Sequence, residues 1–129
     1  MMGTLLWIGR ILFSMIFLFS GLGHLMKAGS MTQYAAAKGV PAPRLMVLLT
    51  GIMILLGGLS ILLWSWVNVG AWLLVLFLLG AALKMHDFWA VEDPMQRQGE
   101  MAQFMKNLSL AGAAIVFYVL YQRPELLAG

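Results

Sequence analysis

The sequence predicts an all-α integral membrane protein, a bundle of four transmembrane helices forming a single domain over residues 1–129. Three observations predict it. Of the 129 residues, 62% are hydrophobic and only 10% are charged, whereas a water-soluble domain carries roughly a quarter charged residues. Eight basic and five acidic side chains cannot cover a water-soluble body of this size, so lipid must be the solvent for most of its surface. Four apolar runs also approach the ~20 residues needed to cross hydrocarbon, and the two polar links between them carry nine of the thirteen charged residues.

The first run extends over about residues 5–25, with Arg10 near its start. Arg10 followed by apolar residues resembles a signal peptide, but no small-x-small cleavage site follows, so the run is read as a retained first helix. The second run, 45–64, and the third, 67–83, contain no charge until Lys84. Continuous apolar character at that length excludes ordinary amphipathic helices. The few residues around Ser65 to Asn68 force these two spans into a tight antiparallel hairpin, flanked by Trp64, Trp66 and Trp72 as interfacial aromatics. The fourth run covers about 104–121, with Lys106 and Asn107 in its first turns.

The first link, residues 26–44, holds Lys27, Lys38 and Arg44, with Gly39-Val40-Pro41-Ala42-Pro43 ending any helix there. Tyr34 to Lys38 is long enough for a short helical turn on the membrane surface. The link over 84–103 is the most polar stretch of the chain, with His86, Asp87, Glu92, Asp93, Arg97 and Glu100. Four spans put both termini on one side and both links on the other. Lys27, Lys38, Arg44, Lys84, Arg97 and Lys106 then lie on the link side, against Arg10 and Arg123 on the other. Positive-inside counting places the links in the cytoplasm of a bacterial inner-membrane protein.

Alternation of direction gathers the polar residues of three spans at one end of the bundle. These are His24 after the first run, Lys84, His86 and Asp87 after the third, and Lys106 and Asn107 opening the fourth. Polar groups at this depth are expensive and each needs a reason. Such a cluster suits the head group of a quinone or another amphiphile, with histidine serving hydrogen bonding and proton exchange near neutrality and the lysines facing negative charge. The plainer reading is structural. Lysines at helix ends snorkel to the interface, and Asp87 pairs with Lys84 or Lys106 while ending its helix.

Other chemistries lack support. No cysteine is present, which excludes disulfides and thiolate-bound metal or iron–sulfur centres. His24, His86 and the nearby acids have no ligand spacing, so no metal site is expected. Both histidines lie at helix ends, against a transmembrane haem. No serine has a histidine at a diagnostic spacing, and Thr50 and Ser60 are expected to bond back to their own helices. Eleven methionines are spread rather than clustered, as gap-fillers are. A pI near 9.6 with scattered basic residues does not indicate nucleic acid. Gly21, Gly23, Gly51, Gly57, Gly58, the Gly80–Ala82 stretch and the Ala111–Ala114 stretch mark close helix contacts.

Several short motifs follow one another in a recognisable order. They are Arg10-Ile11-Leu12 through Phe19-Ser20-Gly21-Leu22-Gly23, Gly39-Val40-Pro41, Leu56-Gly57-Gly58-Leu59, His86-Asp87-Phe88-Trp89, and Phe104-Met105-Lys106-Asn107-Leu108. In that order they resemble the DoxX-like family of small membrane proteins along nearly the whole chain. The resemblance implies a four-helix membrane fold and an association with redox biology, since the family takes its name from a subunit of a thiosulfate:quinone oxidoreductase. Two positions depart from the pattern. Many relatives carry Lys where this chain has His24, and many carry a glutamate before the paired glycines, where this chain has Met53, Ile54 and Leu55. Without that buried acid, no residue is assigned a catalytic role.

The functional expectation is therefore an accessory, non-catalytic subunit of a larger redox-linked membrane complex. Its partners would be lipid and other membrane-protein subunits, and it would carry no cofactor of its own beyond a quinone shared at the His24, Lys84, His86, Asp87, Lys106 and Asn107 cluster. The rivals are a quinone-binding oxidoreductase component and a small transporter or channel. The last would need polar residues through the depth of the second and third spans, which have almost none.

Overall fold

In the computed structural model, which describes residues 1–127, every regular element is helical. The chain runs through α1 (Met2–Met26), α2 (Ala28–Ala37), α3 (Pro43–Leu63), α4 (Val67–Met85) and α5 (Pro94–Gln122), with 3₁₀ turns at Phe88–Ala90 and Pro124–Leu127. Helices α1, α3, α4 and α5 are long and apolar enough to cross a membrane.

Hydrophobic side chains cover the outside as well as the inside. Leu12, Phe19, Leu76 and Leu83 are each more than 60% exposed, an arrangement that water would not tolerate and lipid requires. Inside, Phe17, Ile54, Ile61, Val67, Leu74, Leu78 and Ala114 are almost fully buried. α1 packs against α3, α3 against α4, and α4 against α5, while the Phe13 and Phe117 rings, 5.0 Å between centroids, close α1 onto α5.

Glycine sets the closeness of these contacts, as expected where no hydrophobic force drives helices together in lipid. A methyl group added at Gly51 would lie 2.6 Å from His24 Cβ, and one at Gly21 would lie 2.5 Å from Leu55 Cγ. Across the hairpin, a methyl at Gly57 would meet Leu74 at 2.6 Å and one at Gly70 would overlap the Ser60 hydroxyl. Ala82, Ala111 and Ala114 are buried as anticipated. Gly23 and Gly80 face open space instead, and Gly70, not anticipated from sequence, takes their role.

Three boundaries differ from expectation. The surface helix α2 starts at Ala28 rather than Tyr34. α5 begins at Pro94, ten residues before the apolar run, because Asp93 Oδ2 accepts the Gln96 backbone N–H at 2.9 Å and Pro94 occupies the first turn. The hairpin turn is only Trp64–Trp66, with both tryptophans left-handed at φ 58°. As anticipated, the Thr50 hydroxyl donates to Met46 O at 2.6 Å and the Ser60 hydroxyl to Gly57 O at 2.8 Å.

Candidate functional site

At the link end all five helices line a half-open cavity of about 650 Å³. Its apolar wall includes Ile16, Phe17, Met53, Phe77, Leu78 and Leu110, and α2 with the following link contributes Met31, Tyr34, Ala35, Val40 and Pro41. Of the six polar residues singled out from sequence, His24, Lys84, His86, Lys106 and Asn107 line this cavity. The antiparallel order of the spans brings them together from α1, α4 and α5.

His24 lies in the last turn of α1 and is 8% exposed. It fits there because Gly51 presents no side chain where the imidazole leaves the α1 backbone. Its Nδ1 is 2.7 Å from the Ser20 carbonyl. A carbonyl only accepts, so Nδ1 carries the proton and Nε2 keeps its lone pair. The ring stands edge-on to Phe77, 6.0 Å between centroids. Asn107 on α5 is 5% exposed.

His86 follows α4, with Nδ1 2.9 Å from Glu100 Oε2 on the first turns of α5. The carboxylate accepts, which again leaves Nε2 as the free nitrogen. Lys84 reaches toward the link after α2, with Nζ 3.6 Å from where a Gly39 Cβ would stand. Lys106 Nζ donates to Gln103 Oε1 at 2.6 Å, a neutral partner on its own helix.

Asp87 behaves differently. It pairs with Lys38 at 3.1 Å rather than with Lys84 or Lys106, because the C-terminal end of α2 comes back across the end of α4. Its carboxylate is thereby taken up, and Asp87 is absent from the cavity wall. The bond to Asp87 raises the Lys38 pKa above the ordinary lysine value. Among the described residues no three histidine, aspartate or glutamate side chains gather as a metal cluster.

The opposite end holds a residue whose role sequence reasoning missed. Arg10 is 5% exposed. Its Nε donates to Ile61 O at 3.1 Å and its Nη2 to Leu62 O, so it caps the orphan carbonyls ending α3, where a cation also complements the helix dipole. The guanidinium lies 4.1 Å from the Trp7 ring centroid and 5.2 Å from that of Trp64. No local signal reveals this, since the partners lie more than 50 residues away.

Four apolar spans, a lipid-facing exterior and charged links define a multi-pass membrane protein. The DoxX family model matches residues 5–87. Inner membrane protein YphA of Escherichia coli (strain K12) is 30% identical over 116 residues, covering 90% of this chain and 82% of that protein. The chain belongs to the DoxX family, and it is a multi-pass protein of the bacterial inner membrane. No solved structure matches it.

Proposed function

We propose that this DoxX-family protein is an accessory subunit of a larger redox-linked membrane complex, and that its contribution is a pocket for the head group of a quinone. The observation that carries the reading is the cavity at the link end. An apolar volume of about 650 Å³ with a few convergent polar groups has the size and character of small-molecule sites, which span roughly 300–1,000 Å³.

The residues fit the group. When bound, a quinone supplies two-electron, two-proton carrier chemistry. The Asn107 amide offers a donor to a carbonyl oxygen at depth. The free Nε2 of His24 accepts a proton or a hydroxyl hydrogen bond. His86, oriented through Glu100, sits where α4 leaves the membrane and can pass protons to water. Lys84 and Lys106 stabilise negative charge at the pocket. The accessory role is supported by how little of the chain lies outside the membrane. The transporter alternative gains no support, because the buried residues of α3 and α4 are all apolar or glycine.

The test is gentle detergent extraction of the native protein followed by native mass spectrometry. Stoichiometric oxidoreductase subunits and a bound quinone that is lost in Asn107→Leu are expected. A lone chain with no quinone and no companions overturns the proposal.

A further inference from the structure

The cavity wall holds two cations and no carboxylate. Lys84 and Lys106 line it, with no aspartate or glutamate among the described residues. Each nearby carboxylate has another task. Asp87 holds Lys38 at 3.1 Å, Glu100 holds His86 at 2.9 Å, and Asp93 caps α5. Glu100 is thus hydrogen-bonded to His86 and Asp87 to Lys38, and neither lysine of the wall forms a direct ion pair among the described residues, although the Asp87 carboxylate also feels the charge of Lys84. Lys106 is matched only by the neutral Gln103.

Behind the lysines lie two polar side chains with capacity to spare. Asn107 is 5% exposed and His24 is 8% exposed, and both line the cavity. The Asn107 amide makes no hydrogen bond within the described residues, and His24 uses only Nδ1, toward Ser20 O. The Asn107 amide and His24 Nε2 therefore remain available to a ligand in the cavity that both residues line. Two cations beside low-dielectric walls, with no carboxylate in the wall, bias the potential in that space toward positive.

We infer that the cavity binds an amphiphile with an anionic head, a carboxylate or a phosphate on an apolar tail. The head sits between Lys84 and Lys106 and takes hydrogen bonds from Asn107, while the tail lies along Phe17, Phe77 and Leu110. The inference rests on reading this cavity as a ligand site, and it names an anionic occupant that competes there with the neutral quinone. Charge-assisted hydrogen bonds to an anion are roughly twice as strong as neutral ones, so the head group's charge, rather than its shape, dominates the choice.

The experiment measures binding to the purified protein in a nonionic detergent by native mass spectrometry. The probes are palmitate, palmitoyl lysophosphatidate, the neutral monopalmitoylglycerol, a short-tailed ubiquinone analogue and inorganic phosphate. One or both anionic lipids are expected to bind at least about tenfold more tightly than the monoglyceride, and which of them leads identifies the head as carboxylate or phosphate. The Lys84→Gln/Lys106→Gln double variant alters two exposed side chains, so it retains the wild-type melting curve and loses that preference. Phosphate alone binding as tightly as the lipids overturns the requirement for a tail. Equal binding of monoglyceride and anionic lipids, with the quinone analogue bound, overturns the inference and leaves the quinone reading standing. Anionic lipids bound through the lysines without the quinone analogue uphold the inference and remove the quinone. No binding of any probe overturns both.

Discussion

The two ends of the bundle treat buried polar groups in opposite ways. At the hairpin end Arg10 spends its donors on Ile61 and Leu62 carbonyls and is flanked by Trp7 and Trp64, whose ring in turn meets Phe117 and Tyr121. The buried guanidinium there is committed to the fold. At the link end His24 and Asn107 are buried to a similar degree, yet each retains hydrogen-bonding capacity, and a cavity lies in front of them. Burial alone therefore does not separate a structural polar residue from a functional one. Hydrogen-bonding capacity left over beside a cavity is the better guide.

The contrast can be broken most forcefully at Arg10. Arg10→Ala leaves the last carbonyls of α3 without their partner and is expected to destabilise by about 3 kcal/mol, since hydrogen bonds to charged groups are the stronger ones. Thermal unfolding in detergent measures this, and a wild-type melting curve would show that the hairpin end does not depend on the cap. Next is Gly51→Ala. The new methyl meets His24 Cβ, which is fixed to the α1 backbone, so α1 must shift. A loss of about 1–3 kcal/mol is expected, together with weaker ligand binding, because the same shift displaces the imidazole.

Asn107→Leu sharpens the contrast from the other side. It removes a buried amide that has no partner within the described residues, so stability should change by less than about 1 kcal/mol in either direction. A larger loss would place Asn107 in the same structural class as Arg10. The smallest effect is expected of Lys38→Ala, since the Lys38–Asp87 pair is partly exposed and screened by solvent. Its pH signature is specific nonetheless. Folding raises the Lys38 pKa, so the pair's contribution is fully present below the ordinary lysine value of 10.5 and fades as pH climbs through the folded value. In the alkaline range the wild type should lose stability that Lys38→Ala never had, as melting curves across that range would record.

Much of the architecture was legible because lipid imposes a coarse rule. Each span must be about 20 residues of apolar helix, so hydropathy located all four. The same rule hid the first turns of α5, which lie outside hydrocarbon and are polar. Asp93 followed by Pro94 was the signal that could have found them. At the site, direction of travel sufficed to gather His24, Lys84, His86, Lys106 and Asn107 at one end, since that follows from the number of spans. The partner of Asp87 did not follow, because it depends on how α2 folds back over α4. Arg10 was assigned to its side of the membrane and given no partner, since carbonyls more than 50 residues away leave no trace in local sequence. Orientation is open to direct measurement in a chain without cysteine. A thiol introduced by Gln98→Cys should react with a membrane-impermeant reagent only after cells are opened, and labelling of intact cells would invert the assignment of the links to the cytoplasm.

The length of α5 has a mechanical consequence. At about 1.5 Å per residue, its 29 residues extend about 43 Å, well beyond a hydrocarbon core of about 30 Å. The surplus is the polar stretch from Pro94 to Gln103, which stands clear of the lipid like a crank handle, continuous with the turns that carry Lys106 and Asn107. A helix transmits rotation along its axis. Glu100 on those outer turns is bonded to His86, so a partner that turned them would move the link before α5 together with Lys106 and Asn107, and a force applied outside the membrane would reach the pocket by both routes.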